Sequence, residues 1–304
     1  MPSEEEVLGY MSSLSNWGRW GPEDQLGTLN LITPEKRAQA ASLVREGISV
    51  TCSRLIVPEM APDVTSIPPL HYMVNTGETP EGTNESASDF MGLSFHGLTV
   101  THLDSLCHQF WDGRMYNGQP ASLINVRDRA TVCAVDNAQN GIVTRGVMLD
   151  ITRVRGVEWL EAGEGVFPED LEAAEEVQGV RVEEGDALLL RLGWYRRRLK
   201  MGPPPAPDRP GLHVASMPWV HERGVSILAA DASEDVVPSG YPGNRQPVHK
   251  VGQVAMGLWL IDAGNFEELN EVCTRLGRWE FMFSVAPLRF KNATGSPVNP
   301  LALF

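Results

Sequence analysis

The amino-acid sequence predicts an α/β protein with a mixed sheet, organised as a single domain over residues 1–304. Three observations support this. Helical and strand patterns alternate along the chain, strand pairs without an intervening helix interrupt the alternation, and the largely apolar run 187–194 is typical of a strand buried on both faces. A chain of 304 residues with 42% hydrophobic content can bury one large core.

The N-terminal part of the chain contains one helix with clear start and stop signals. Thr33 supplies a hydroxyl cap, Pro34 occupies the first turn, and Gly47 ends the helix. A strand over 48–55 follows. Residues 62–92 are rich in Pro, Gly, Thr, Ser and Asn and too long for an ordinary connection. They predict either a disordered segment or, as we favour, a lid beside an active site.

The remaining elements keep the alternating order. Helices are expected at 169–177, near Pro218 and at 265–277, the last with a capping box formed by Asn265 and Glu268. Strands are expected at 130–136, 146–152, 187–194, 225–231 and 279–290. The proline-rich stretch 203–210 is a stiff loop rather than a domain linker.

Charge and composition exclude several classes of partner. Twenty-five basic and thirty-nine acidic residues give a formal net charge of -14, which repels nucleic-acid phosphates. No apolar run approaches the roughly 20 residues of a membrane span, and the N-terminus is acidic where a secretory signal would be basic. We therefore expect a cytoplasmic protein that acts on a small molecule, with no nucleic-acid or membrane partner.

The four cysteines are scattered, without a Cys-x-x-Cys pair. This spacing indicates neither a zinc knuckle nor a disulfide framework, so they are interpreted as reduced core or site-lining residues. Cys107 adjoins His108, and a Cys/His nucleophile would be a different enzyme class. Neighbouring residues of a strand point to opposite faces, which argues against that pair.

The most informative stretch gathers metal-type ligands within a few residues. In an extended backbone, His96, His102, Asp104 and His108 would project from one face; if the chain turns helical at Asp104, then Asp104 and His108 form an i, i+4 pair. Either geometry brings three or four ligating groups together. Neutral imidazole with carboxylate suits zinc, manganese or iron.

A second segment of the sequence contains similar ligand-type side chains. His249 follows the loop 237–247, and Asp262 lies thirteen residues further on, so both could face one cavity. Each residue alone is weak evidence for a functional site, since a lone histidine is more often structural. Asp231 and Asp235 flank a strand end, where aspartate commonly serves as a cap.

The stretch Thr101-His102-Leu103-Asp104-Ser105-Leu106-Cys107-His108 resembles the signature His-x-Gly-Thr-His-x-Asp-x-Pro-x-His of the cyclase family, which includes bacterial kynurenine formamidase and isatin hydrolase. Three further segments resemble the longer branch of that family: Trp20-Gly-Pro-Glu-Asp-Gln-Leu-Gly-Thr-Leu-Asn, Gly185-Asp-Ala-Leu-Leu-Leu-Arg-Leu-Gly and Gly295-Ser-Pro-Val-Asn-Pro. The resemblance thus extends over nearly the whole chain.

The resemblance implies a metal-dependent hydrolase, dimeric or tetrameric, on an α/β fold whose sheet forms a β-barrel-like core surrounded by helices. It places His102 and Asp104 on metal ligands and His108 on the catalytic acid/base. It also places His249 and Asp262 on a second metal site, and Trp20 near a tryptophan that contacts substrate.

The chain departs from the signature at three positions. Leu98 stands where the first histidine ligand is expected, Val100 replaces glycine and Leu106 replaces proline. His96 keeps the strand parity of the missing ligand and could replace it; otherwise the first metal site is weakened or absent.

These observations predict a metal-dependent hydrolase, with Mn or Zn, of an amide, formamide, lactam or lactone bond in a small aromatic or cyclic molecule. Two alternatives remain at this point: a metal-dependent lyase or cyclase, and a non-catalytic binding protein with a vestigial site. The segments 62–92 and 237–247 are the expected active-site loops, and the substrate's identity depends on their conformation.

Overall fold

A curled nine-stranded sheet, surrounded by helices, forms the centre of the fold. The structure is a computed structural model that describes residues 1–65, 67–79, 82–205 and 207–304. Four small two-stranded sheets accompany the large one. The mixed α/β class and the barrel-like curvature predicted for the chain are confirmed.

The helices are α1 Glu4–Ser13, α2 Pro34–Ala41, α3 Ile151–Arg155, α4 Pro168–Gln178, α5 Trp194–Met201, α6 Met217–Glu222, α7 Pro247–His249, which continues as a π-helix over Lys250–Met256, and α8 Glu267–Leu276. The strands are β1 Ser49–Thr51, β2 Leu70–Asn75, β3 Glu78–Thr79, β4 Gly82–Thr83, β5 Ser88–Gly92, β6 His102–Asp104, β7 Ile124–Asn125, β8 Arg129–Ala130, β9 Ile142–Asp150, β10 Gly165–Val166, β11 Ala187–Arg191, β12 Gly211–Leu212, β13 Ile227–Ala230, β14 Trp259–Asp262, β15 Glu280–Val285, β16 Gly295–Pro297 and β17 Leu301–Leu303.

The large sheet has the strand order β1-β17-β15-β9-β11-β13-β14-β6-β16. Its four central strands, β9, β11, β13 and β14, run parallel. Antiparallel strands extend it on both sides: β15, β17 and β1 on one, β6 and β16 on the other. Strand β14 therefore joins the parallel centre to the short antiparallel strand that carries His102 and Asp104.

The central strands are apolar throughout because both faces of the sheet are covered. In β11, Leu188 and Leu190 pack into one hydrophobic cluster, whereas Ala187 and Leu189 pack into another. The same alternation holds in β14. Leu260 packs into the cluster of Leu188 and Leu190, and its neighbours Trp259 and Ile261 pack into the other. Such two-sided burial is expected for parallel strands and explains the apolar run in the sequence.

Several predicted boundaries were wrong. Helix α2 ends at Ala41 rather than near Gly47, because the next residues form tighter turns, with Leu43 N–H donating to Ala40 O. The strand expected at 130–136 does not form over that range. The observed strand β8 ends at Ala130, since Cys133 adopts a positive φ of 54° that interrupts an extended backbone.

The boundaries near the C-terminus differ as well. Asn265 Oδ1 accepts from the Glu267 backbone at 3.2 Å, but helix α8 begins after Phe266 and lacks the capping box predicted with Glu268. The last long strand ends at Val285 rather than at residue 290.

The segment 62–92 contains a β-hairpin rather than a structureless lid. Strands β2 and β5 pair antiparallel, and nearly all their side chains are exposed, including Tyr72, Phe90 and Met91. Residues 66, 80 and 81 of the segment lie outside the described residues. Part of the segment still reaches the candidate site, where Thr65 lines its cavity.

The cysteines and the helices agree with the sequence-based expectations. All four cysteines are buried and unpaired. Within the described part of the chain, no helix combines the length and apolar character needed to span a bilayer.

Candidate metal centre

Strand β6 and its neighbour β14 build the floor of the site. His102 and Asp104 project from one face of β6, while Leu103 between them packs into the core. In the antiparallel pairing with β14, His102 lies opposite Asp262. Residues directly opposite each other share a face of the sheet, so pairing of two distant segments places Asp262 beside His102.

A first group of donor atoms surrounds one oxygen of Asp104. His96 Nδ1 lies 2.8 Å and His102 Nε2 lies 3.5 Å from Asp104 Oδ1. His102 Nδ1 donates to the carbonyl oxygen of Val100 at 2.8 Å, so its proton is on Nδ1 and the neutral ring presents a lone pair at Nε2. The structure thus places His96, rather than Leu98, beside Asp104.

His96 and Asp104 form a close contact between two potential ligand atoms. Although His96 Nδ1 and Asp104 Oδ1 are 2.8 Å apart, both atoms are buried and neither has a correctly aligned hydrogen-bond partner among the described residues. The other ring nitrogen, His96 Nε2, lies 3.0 Å from Thr294 Oγ1. The pair therefore offers a cation one imidazole nitrogen and one carboxylate oxygen.

Asp104 remains ionised in this setting. Burial would raise the pKa of its carboxyl, but the surrounding His108, His96 and His102 rings hold that pKa well below its usual range. Gln253, on the π-helix, donates from Nε2 to Asp104 Oδ2 at 3.3 Å. The carboxylate is therefore available as an anionic ligand at neutral pH.

A second group lies on the other side of Asp104. His249 Nε2 is 3.7 Å from Asp104 Oδ2 and 3.5 Å from Asp262 Oδ2. The other nitrogen of His249 donates to Asp235, whose carboxylate also accepts from the backbone N–H groups of Val248 at 2.7 Å and His249 at 3.0 Å. Asp235 was expected to serve as a local cap at its strand end; instead its carboxylate binds the backbone of α7 and directs His249 Nε2 toward the site.

The two charges of the second group stabilise each other. Burial alone would lower the pKa of His249, but the Asp262 and Asp235 carboxylates outweigh it and raise that pKa well above its usual value. Burial would raise the pKa of Asp262, yet contacts with Glu234 and His249 hold it well below the usual range.

The sequence analysis missed Glu234. Its side chain is fully buried, neither carboxylate oxygen has a hydrogen-bond partner among the described residues, and Oε2 lies 3.7 Å from His249 Nε2. Burial and the nearby Asp262 raise the pKa of this carboxyl well above its usual value. The available signal was its place in the acidic loop after β13, since ligands collect beyond the carboxyl ends of parallel strands.

His108 reaches the site through a turn. Strand β6 ends at Asp104, and the His108 backbone N–H donates to Ser105 O at 3.0 Å, so the extended geometry considered for this stretch holds only for His102–Asp104 and the helical one is not observed. The ring stacks on His96 with centroids 3.9 Å apart, and Nε2 lies 3.7 Å from Asp104 Oδ2. Burial lowers the pKa of His108 to about 4, so the ring is neutral near pH 7.

These groups open into one cavity of about 360 Å³. The loop 237–247 and the proline-rich loop both contribute to its wall, whose described lining residues are Thr65, His96, Gly97, Leu98, His102, His108, Pro207, Arg209, Val237, Arg245, Gln246, His249 and Asp262. Trp20 is not among them; its ring lies against the Arg19 guanidinium at 4.8 Å. Cys107 is also absent from the wall, and burial raises the pKa of its thiol to about 11.

Comparison with known proteins identifies the family. The family model "Putative cyclase" matches residues 39–234. A crystal structure of a novel cyclase shares 30% sequence identity and a TM-score of 0.84, covering 97% of this chain and 99% of the other. The chain belongs to the cyclase family. No match was found among curated proteins.

More distant relatives of this cyclase-family protein share its fold. Isatin hydrolase A from Labrenzia aggregata, bound to benzyl benzoate, has 20% identity and a TM-score of 0.61, covering 86% of this chain and 94% of the other. A "predicted metal-dependent hydrolase" from Bacillus stearothermophilus has 12% identity and a TM-score of 0.54, covering 85% and 98%.

The donor atoms of this family member fit a divalent cation. His96, His102 and Asp104 each offer one ligand atom within 4.8 Å of the others, and so do Asp104, His249 and Asp262. Imidazole nitrogen with carboxylate oxygen suits Mn²⁺ and Zn²⁺. His96 Nδ1, Asp104 Oδ1 and both Glu234 carboxylate oxygens are buried without a well-aligned hydrogen bond among the described residues, and a cation would satisfy such atoms.

Proposed function

We propose that this cyclase-family protein is a metal-dependent hydrolase that cleaves an amide, formamide, lactam or lactone bond in a small aromatic or cyclic molecule. The observation that carries the proposal is the convergence of buried imidazole and carboxylate ligand atoms around Asp104, beside a cavity that His96, His102, His249 and Asp262 line. The shared fold with an isatin hydrolase and with a "predicted metal-dependent hydrolase" supports the reaction class.

His96, His102 and Asp104 would hold one divalent cation, Mn or Zn, and His249 and Asp262 would hold a second together with Asp104. A cation bound there supplies Lewis acidity, which polarises a carbonyl and lowers the pKa of water. His102 is prepared for this role because its Nδ1 proton is bound by Val100 O. Asp235 holds the Nδ1 proton of His249, and a cation bound at Nε2 would take the place of the second proton of that ring.

His108 is proposed to move the proton. Its ring lines the cavity and is neutral near pH 7, so it can accept a proton at Nε2 and return it to the leaving nitrogen or oxygen. The adjacent Asp104 carboxylate, 3.7 Å away, stabilises the protonated ring during the transfer. The cavity volume of about 360 Å³ is near the lower end of small-molecule sites, which favours a compact substrate.

Elemental analysis tests the metal directly. We expect protein purified without added metal to carry at least about one equivalent of manganese or zinc per chain, and about two when both ligand groups are filled, because imidazole and carboxylate ligands fit both ions. Inductively coupled plasma mass spectrometry of dialysed protein gives the content. Less than about a tenth of an equivalent, with no uptake on titration with either ion, would defeat the proposal.

We also propose that the protein is a homo-oligomer. The β2–β5 hairpin exposes Tyr72, Phe90 and Met91, and an isolated two-stranded hairpin is marginally stable in water. Light scattering should give at least twice the chain mass of 33.4 kDa. A monomer at micromolar concentration would contradict this expectation.

A further inference from the structure

Arg209 is a cation in the wall of the candidate catalytic cavity that the proposed reaction does not use. Its backbone is anchored by reciprocal hydrogen bonds with Val237, N–H to O and O to N–H, both 3.0 Å. The side chain lines the cavity together with His102, His108 and His249, yet the residue is only 6% exposed. Arg209 therefore places a positive charge beside the reaction site, with little access to bulk water.

Arg209 differs from the other buried arginines of the described chain, which are Arg54, Arg145 and Arg191. Arg145 pairs with Asp186 at 2.7 Å, and Arg191 pairs with Asp150 at 3.0 Å. Arg54 has no carboxylate partner, but each of its three nitrogens donates to a backbone carbonyl. Among the described residues, no ion pair compensates the charge of Arg209.

The Arg209 guanidinium also has N–H donors without a partner among the described residues. A guanidinium has five N–H donors, and the described contacts are one bond to Pro207 O at 2.9 Å and one to Ser233 Oγ at 3.4 Å. Nε is buried and has no partner among the described residues. A buried cation that lacks a counter-ion and some of its hydrogen bonds is costly, and an anionic ligand would reduce that cost.

We propose that Arg209 binds a carboxylate of the substrate, so that the molecule hydrolysed here carries an anionic group in addition to the bond that is cleaved. This inference rests on the proposed function. The planar guanidinium fork matches a carboxylate geometrically and forms charge-assisted hydrogen bonds with it. A doubly charged phosphate is disfavoured, because Asp262 lines the same cavity and the Asp104 carboxylate lies within 3.7 Å of the His102, His108 and His249 rings in its wall.

Arg245 supports the same substrate class. Its side chain is exposed and lines both the catalytic cavity and an outer depression of about 480 Å³ that contains Pro238 and Tyr241. No ion pair involves Arg245 among the described residues. In a chain with a net charge of -14, a cation at the entrance attracts anionic substrates locally, and Arg209 binds them further in.

The test compares two probes that differ in charge but have similar shape and no bond for the enzyme to cleave: 3-aminobenzoate and the neutral 3-aminoacetophenone. Calorimetric titration of the full-length protein should show that the carboxylate binds about 10- to 100-fold more tightly, the range expected for hydrogen bonds to a charged group. Arg209→Gln should reduce this preference to less than about threefold. Arg209→Lys, which keeps the charge but not the fork, should retain part of it.

Two further variants separate this site from the metal ligands. Arg196→Gln, which removes an arginine ion-paired with Glu267 outside the cavity, should leave the preference unchanged. Asp104→Ala should also keep it, since Arg209 needs no cation. Equal binding of the two probes by the unmodified protein overturns the proposal, and so does a preference that survives in Arg209→Gln but disappears in Asp104→Ala. If no bond is hydrolysed but the preference depends on Arg209, the proposed function fails and the anion site stands.

Discussion

Replacing Asp104 with alanine should remove both the bound metal and the hydrolytic activity. Asp104 belongs to both groups of donor atoms: Oδ1 lies near His96 and His102, and Oδ2 lies 3.7 Å from His249 Nε2. Its loss therefore removes the ligand that the two groups of described residues share, and also one negative charge. We expect less than about a tenth of an equivalent of metal and no measurable turnover, from elemental analysis and assays on N-formyl anilines, isatin-like lactams and aryl lactones.

Asp170→Ala is the matched control. Asp170 also forms a partly buried ion pair, with Arg155 at 2.7 Å, but it lies on helix α4 and does not line the cavity. This variant should keep its metal and its activity, and thermal melting shows whether both variants fold. An Asp104→Ala protein that retains metal and turnover would show that Asp104 is not a ligand.

The sequence was most informative where the site depends on local geometry. The two-residue spacing of His102 and Asp104 places both on one face of a strand, whatever the rest of the fold does. His96 also lies beside Asp104, but not through strand parity, because residues 96–100 form bends and the strand begins at His102. The alternation of apolar residues likewise predicted the buried central strands, because that pattern follows directly from burial on both faces.

Other parts of the site depend on contacts between distant segments. Asp262 lies beside His102 only because β14 pairs with β6, a pairing that no local pattern reveals. Glu234 and Arg209 looked like ordinary loop residues, and their importance comes from burial without partners. Trp20 was placed by resemblance alone, and the structure does not bring it to the cavity.

The ends of the helices and strands were predicted less well than the elements themselves, for a physical reason. Gly47 is a sound stop signal, and it has a positive φ of 67°, but the helix before it tightens into turns several residues earlier. Such local changes depend on small energy differences between similar backbone hydrogen-bond patterns. They did not affect the site, because its residues lie on the short strand β6, in turns and after strand ends.

Replacing His108 with asparagine should slow turnover by about 10²- to 10⁴-fold while leaving the metal content near that of the unmodified protein. His108 is assigned to proton transfer rather than to ligation, since its ring stacks on His96 and lies at the cavity wall. Burial lowers its pKa to about 4, so the neutral base is present above that pH and is lost as the pH falls through it. The unmodified enzyme should therefore remain active below pH 6 and lose activity as the pH falls toward 4. This loss of activity in acid should disappear in the variant.

His221→Asn provides the control, because His221 is a partly buried histidine on helix α6 that does not line the catalytic cavity. It should leave turnover, pH profile and metal content unchanged. The decisive comparison is metal content measured beside turnover in the same preparations. If His108→Asn loses its metal as completely as Asp104→Ala, His108 is a ligand and the proton must be moved by another group. If His108→Asn keeps both its metal and full activity, general acid-base catalysis by His108 is wrong, although the metal centre around Asp104 would remain.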